Sequence, residues 1–329
     1  RRRGDGEERG AAARTRRATG ERGRARALIG APLELLALLV LSHGAAAAHA
    51  GAASGRFCDL QSPLSATQQD RLLSFAAIAR QELDASAQTL AIVARSGLNR
   101  ARFGIRYSHA GISLQANPNG PWSVRQLYYA CDEGQPRLYD QGLPGFLFGT
   151  DDPSLGYLSM VLLPASHAAA LERAALDTPR ALALLGGGYS ANAHAFSTRY
   201  QNCNQWLAEL LAAAWGAGDG GRDGAQRWLA AQGYAPQPVE VNSRALMFAA
   251  GFVPWLTTDD HPDEDLQAMR FRTSLPASIE AFVRDTVPGA ERIELCHDSK
   301  QVVVRRGWTP IADGCVPAAG DRVMALDAI

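Results

Sequence analysis

The residues whose type and spacing could do covalent chemistry are a cysteine and a histidine nearly a hundred positions apart. Cys203 stands in Tyr-Gln-Asn-Cys-Asn-Gln-Trp (200–206), where a helix-like apolar pattern opens, and His109 stands in the strand-like Tyr-Ser-His-Ala-Gly-Ile-Ser-Leu (107–114). A thiol in the first turn of a helix has its thiolate favoured by the helix dipole, and an imidazole on a neighbouring strand can take its proton. The pair predicts a cysteine nucleophile with a histidine base, the base coming first in the chain. Asn202 is the expected N-cap, with Gln205 three residues on as a variant capping box, so Cys203 takes the first helical position. Cys203, Leu207, Leu210 and Ala214 then share one face. The thiol points inward, as a plain core cysteine would also do.

Two strands must position the histidine. Residues 107–115 and 122–131 alternate as strands, and Asn117-Pro118-Asn119-Gly120 between them favours a reversal. A turn centred near Pro118-Asn119 sets His109 opposite Tyr128, with Gln126 one pair inward on the same face. Gln126 and Tyr128 are both candidates for orienting the ring. His194, nine residues before Cys203, is the reserve base, while His167 and His297 are expected at the surface. Trp122, Tyr128 and Tyr129 read as packing around the hairpin. No His-Glu-x-x-His or Cys-x-x-Cys pattern occurs, which excludes the common zinc-hydrolase and thioredoxin-like signatures. The stretch 216–224 lacks the Lys-Ser/Thr of a phosphate loop and reads as a linker, and the acidic run 257–265 fits no calcium-loop spacing. Neither a metal nor a cofactor is expected.

The remaining pattern is α+β. A helix capped by Ser65 or Thr67 should run to Asp84 on a stripe of Leu72, Leu73, Ala76, Ile78, Ala79 and Leu83, followed by a strand at 89–95. The Gly- and Pro-rich stretch 135–153 reads as an ordered loop, 157–163 as a strand, and 165–176 and 180–185 as helices. Further helices are expected near 225–231 and 243–250, with a capped helix from Ser274 to Thr286. A hairpin of 291–296 and 301–305 closes the chain.

Residues 1–26 carry ten arginines against four acids, followed by a short apolar run from Leu28 and an alanine-rich exit ending Ala48-His49-Ala50. Basic flank, short apolar core and A-x-A exit predict a secretory signal peptide cleaved after Ala50, despite Glu34 inside the core. The expected location is the periplasm or outside, with an uncleaved inner-membrane anchor as the alternative. The run is too short and interrupted for a comfortable span, so no stable membrane span is expected after signal removal. Residues 1–50 hold ten basic and five acidic residues of totals that are 33 each, so the remainder is net negative by five, which argues against nucleic acid. Residues 51–235 read as a core and 236–329 as a helical and β-hairpin extension, expected to belong to the same fold.

An exported chain with five cysteines leaves one over after pairing. Cys296 and Cys315 bracket a short β-like unit and are the easiest pair to close. Cys58 and Cys131 make the second pair, leaving Cys203 as the odd thiol; sequence alone permits other pairings.

Several of these segments also carry a likeness. Arg95-Ser96-Gly97, the His109 motif, Gln126-Leu-Tyr-Tyr-Ala-Cys-Asp, Tyr139-Asp-Gln-Gly-Leu-Pro-Gly-Phe, Tyr189-Ser-Ala-Asn-Ala and the Cys203 motif together resemble a bacterial exported family known only as domain-of-unknown-function family 2145. More distantly, a strand with His-x-Gly-Ile, a following strand, and a later helix opening on Asn-Cys look like the circularly permuted papain-like proteins, the NlpC-type hydrolases and lecithin:retinol acyltransferase relatives. That second resemblance implies a permuted papain-like fold, an antiparallel sheet packed against the Cys203 helix. It implies Cys203 as nucleophile, His109 as base, and Gln126 in the orienting position, where an acid or a second His is expected. The Cys203 backbone N–H, helped by the Gln201 side chain, would face the oxyanion. Acyl transfer on an amide or ester follows, with cell-wall peptides or lipids as substrates reachable from an exported position. The competing expectation is a non-catalytic envelope protein of the same fold that binds a peptide or lipid or aids assembly.

Overall fold

The computed structural model describes residues 64–97, 103–131 and 133–326. Helix α1 (Ala66–Ala85) starts at Ser65, whose hydroxyl accepts from the Gln68 N–H while the Gln68 side chain returns to the Ser65 N–H. This reciprocal capping box satisfies two of the donors that a helix start leaves open. Its apolar stripe buries Leu72, Phe75, Ile78 and Leu83, but Leu73 points to solvent, one position off the inward face.

Eight strands form one sheet in the order β10-β9-β8-β5-β1-β2-β3-β4, every neighbouring pair antiparallel. They are β1 (Leu90–Arg95), β2 (His109–Leu114), β3 (Ser123–Ala130), β4 (Gln135–Gln141), β5 (Gly156–Leu162), β8 (Glu291–His297), β9 (Gln301–Arg306) and β10 (Arg322–Ala325). The central strands β1, β2 and β5 are buried along their whole length, because helices cover both faces of the sheet. Strand alternation divides the core in two. Leu90, Ile92 and Ala94 of β1 join Ile112 and Leu114 of β2 beneath one layer of helices, while Ala91 and Val93 join Leu158 and Met160 of β5 beneath the other.

The second layer holds α1 and a short helix α2 (Leu143–Phe148), which contributes Leu143, Phe146 and Leu147. The first holds α3 (Ala165–Leu176), α4 (Thr178–Ala183) and α5 (Cys203–Ala212), with α6 (Gly221–Ala231) and α9 (Pro276–Thr286). Every residue of α5 is buried, so it is the central helix of its layer rather than an amphipathic surface helix. A π-turn over Ala213–Ala217 ends it. Away from the sheet, β6 (Pro238–Glu240) pairs with β7 (Arg270–Arg272), and α7 (Arg244–Ala250) and α8 (Asp263–Ala268) lie between them in the chain.

Three readings change. Residues 135–153 are not a loop: β4 forms the sheet edge and α2 follows, its Pro144 sitting where a missing N–H costs nothing. The expected linker at 216–224 already contains the start of α6. Helix α9 begins at Pro276, and Ser274 does not cap it. The C-terminal hairpin β8–β9 pairs through β5 into the main sheet, so residues 236–329 supply strands to the same sheet as the core. Cys296 and Cys315 are disulfide-bonded, as their spacing predicts. Cys131 is also disulfide-bonded; its expected partner Cys58 lies outside the described residues, as does the leader. Among the described residues no helix is long and apolar enough to cross a membrane.

Candidate active site

Strand β2 begins at His109, and β2 pairs with β3 in the register Ile112↔Arg125, Ser113↔Val124, Leu114↔Ser123. Continued along the strands, this register sets His109 across from Tyr128 and Gly111 across from Gln126, the arrangement that the turn at Pro118-Asn119 predicts. A Cβ at Gly111 would lie 2.6 Å from Val124 Cγ1 and 2.8 Å from the Arg125 carbonyl oxygen. Only glycine lets β3 come this close, and the approach brings the Gln126 side chain to the ring of His109.

The Nε2 side of the ring is held by an amide. His109 Nε2 lies 2.5 Å from Gln126 Oε1, and Gln126 Nε2 donates to Gln141 Oε1 of β4 at 3.0 Å. In this arrangement the oxygen end of the Gln126 amide faces the histidine and its nitrogen faces Gln141. An amide oxygen only accepts, so Nε2 of His109 carries a hydrogen and Nδ1 is the basic nitrogen of the neutral ring. Phe146 of α2 packs against the same imidazole with centroids 5.9 Å apart.

Cys203 sits at the first position of α5 and belongs to no disulfide. Asn202 caps the helix by accepting from the Gln205 N–H at 2.7 Å and is itself tied to Thr273 Oγ1 and the Ser274 carbonyl. No acidic residue occupies the first turn, so no carboxylate at the helix start opposes a thiolate there. The Gln205 side chain does not complete a capping box. It donates instead to the carbonyls of His194, Ala195 and Ser197. The residue after the cysteine ties the two motifs together: Asn204 Nδ2 donates to the Ser108 carbonyl at 3.3 Å and to the Ser274 carbonyl at 3.2 Å. The His109 segment thus meets α5 through Ser108 and α2 through its ring.

The other proposed participants separate. Gln201 is wholly buried with its amide committed, Oε1 accepting from the Gly186 N–H and Nε2 donating to the Leu184 carbonyl and Glu209. It is not an oxyanion donor, because both of its hydrogens are already used. Its role is to close the chain between Gly186 and the cysteine. The ring of His194 turns toward the acidic segment: Nε2 is 4.0 Å from Asp265 Oδ2, and the His261 ring stands edge-on at 5.4 Å. Burial, then His261 and Arg272, hold its pKa below the ordinary histidine value. His297 is buried rather than at the surface, packed on Phe75 at 4.7 Å. His167 is half-buried against Trp215. Tyr129 stacks on Tyr189 at 4.7 Å, joining β3 to the segment that leads to the cysteine. Among the described residues no group of three or more His, Cys, Asp or Glu is placed to hold a metal ion.

A buried polar hub behind the cysteine escapes sequence reasoning. Glu209, two turns along α5, accepts from Gln201, Gln226 and Arg222. Arg222 goes on to the carbonyls of Ser197, Thr198 and Tyr200. Burial pushes the Glu209 carboxyl up, against the pull of the guanidinium and the amides. Only one signal was present: a Glu within the otherwise apolar run Trp206–Ala212 requires a partner.

A profile of bacterial proteins described as uncharacterized and conserved, DUF2145, matches residues 82–283, and the chain belongs to that family. No curated protein and no solved structure matches it.

Proposed function

From that membership and this geometry we propose that the protein is a cysteine-dependent hydrolase or acyltransferase, acting in the cell envelope on an amide or ester. The observation that carries the reading is the His109–Gln126–Gln141 chain, which presents Nδ1 as the basic nitrogen at the strand start tied to α5 through Asn204. Cys203 is the nucleophile and His109 the base; Gln126 is a positioning residue. The sulfur attacks the substrate carbonyl carbon, and its proton passes to His109 Nδ1. The tetrahedral oxyanion collapses, the C–N or C–O bond breaks, and the imidazolium returns the proton to the departing amine or alcohol. Water, deprotonated by the same nitrogen, cleaves the thioester; an acceptor alcohol or amine gives transfer instead. The Cys203 N–H at the helix start is the donor assigned to the oxyanion. A circularly permuted papain-like arrangement of sheet and helix accommodates these roles, with the base ahead of the nucleophile in the chain. Cell-wall peptides and lipid esters are the substrates that an exported protein meets.

The burial of Cys203 favours a second reading, a packed thiol in a non-catalytic envelope protein that binds a peptide or lipid or serves assembly. Iodoacetamide alkylation of the folded protein with peptide mapping separates them. The hydrolase reading expects fast alkylation of Cys203 at neutral pH, a clear decrease in His109→Ala, and no turnover of an amide or ester in Cys203→Ser. A stably folded His109→Ala protein whose thiol reacts as fast as wild type overturns it.

A further inference from the structure

Two motifs remain without a part in the chemistry: Arg95-Ser96-Gly97, at the end of β1, and Gly142-Leu-Pro-Gly-Phe, which opens α2. The fold brings them together. Arg95 is the one charged residue of β1, is only 4% exposed, and pairs directly with His109 in the β1–β2 register. A buried cation is costly unless its donors find fixed partners. Nη1 of Arg95 donates to the carbonyl of Gly149, the residue that ends α2, and Cζ lies 5.3 Å from the centroid of the Phe146 ring. That same ring packs against the His109 imidazole.

Glycines make this fit. A Cβ at Gly149 would collide with the guanidinium, one at Gly97 would lie 2.7 Å from Nη1, and one at Gly145 would lie 2.8 Å from Gln141 Nε2. None of the three has a positive φ, so close approach is what they supply. The chain leaving α2 is also tied back to this motif, the Asp151 N–H donating to the Gly97 carbonyl at 3.4 Å.

We propose that Arg95 is a positioning residue for His109, holding α2 so that Phe146 and the Gln126–Gln141 pair keep the imidazole in one orientation with Nδ1 as its basic nitrogen. A helix of six residues has little stability of its own, and no side chain caps its start. The guanidinium supplies a charge-assisted bond at the negative end of the helix dipole, with cation–π attraction to Phe146. Gln141, which accepts from the Gln126 amide, lies two residues ahead of α2 and packs under Gly145, so the same helix governs the other contact of the ring. The consequence for Cys203 rests on the hydrolase reading; the orientation of the ring does not.

The test is nitrogen NMR of the imidazoles in the full chain, with the His109 signals identified by their loss in His109→Ala. Wild type should show a single neutral tautomer, its hydrogen on Nε2. In Arg95→Met the two nitrogen signals should converge toward a mixture of tautomers, and Cys203 alkylation should slow about tenfold, the size expected for a lost hydrogen bond to an ionised group. In a His109→Ala background the same substitution should leave alkylation unchanged. Gly149→Ala moves the guanidinium without removing it and should give the same convergence, which keeps the test decisive if Arg95→Met does not fold. A folded Arg95→Met or Gly149→Ala protein whose His109 signals match wild type overturns the proposal. So does a wild-type ring with its hydrogen on Nδ1, or equal slowing by Arg95→Met in both backgrounds, which would make Arg95 a support of the fold alone. The ring signals do not involve the thiol: an altered ring beside a Cys203 whose alkylation ignores His109 refutes the hydrolase reading alone, and unaltered signals beside a His109-dependent Cys203 refute this one alone.

Discussion

On the proposed mechanism Gln126 decides how well His109 can act, because its amide oxygen holds the Nε2 hydrogen that the ring needs whether neutral or charged. A hydrogen bond to an ionised group is worth about 1.5–3 kcal/mol, so its loss should destabilise an imidazolium–thiolate pair by that order. Gln126→Ala is expected to slow Cys203 alkylation roughly tenfold, less than His109→Ala, which removes the charge itself. Gln126→Glu supplies an acceptor with a full negative charge and should restore or raise the rate relative to Gln126→Ala. Measuring alkylation from pH 5 to 9 for the three proteins checks this, since a purely structural role for Gln126 would leave the pH profile of the reaction in place. Gln126 itself was legible in the sequence, because a reversal centred near Pro118-Asn119 and strand alternation are enough to bring it to His109. Gln141, which accepts from the Gln126 amide nitrogen, was not. Its strand lies in a segment whose Gly and Pro content speaks for loops, and only pairing with β3 turns 135–141 into an edge strand.

At the scale of elements, α5 supplies both the thiol and the support for the chain that approaches it. Glu209 and Arg222 form a buried ion pair in which each also bonds the 186–201 segment, Glu209 through Gln201 and Arg222 through three backbone carbonyls. Removing one partner of a buried pair leaves the other charged and desolvated, at a cost of about 3–5 kcal/mol. Glu209→Ala should therefore lower the unfolding free energy by that order, read as a lower urea midpoint, and speed amide exchange over 186–201 first. Exchange that rises evenly over the whole chain would show that the hub supports the fold generally and not this approach. The helix is evident from Asn202 and the apolar run; its support is not, because Arg222 and Gln226 follow a Gly/Asp stretch that sequence reads as a linker. Gln201 shows the same limit. An amide beside a nucleophile suggests an oxyanion donor, and only the fold reveals that Leu184 and Glu209 have taken both of its hydrogens.

For the whole molecule, the C-terminal hairpin is the feature that local patterns describe correctly and place poorly. The strands 291–297 and 301–306 and the Cys296–Cys315 link were readable from alternation and spacing, but their docking on β5 was not, and that docking is what buries His297. Closing a loop of 19 residues should stabilise the fold by about 3 kcal/mol, so Cys296→Ala/Cys315→Ala should lose unfolding free energy of that order and unfold at lower urea. The buried histidine gives the fold a pH dependence of definite sign. Burial lowers the His297 pKa from 6.5 to about 4, against the partial opposition of Asp152 and Asp298. The unfolded chain therefore takes up a proton as pH falls through about 6.5, while the folded chain resists until about 4. The stability linked to this neutral ring is fully present above pH 6.5 and is lost progressively across that window. Its size is roughly 3 kcal/mol, and His194, also lowered, adds in the same direction. Urea unfolding between pH 7.5 and 4.5 should show stability declining with acid, and His297→Gln should flatten the decline while leaving that of His194. A His297→Gln protein with the wild-type slope would mean that the ring already accepts its proton in the folded state.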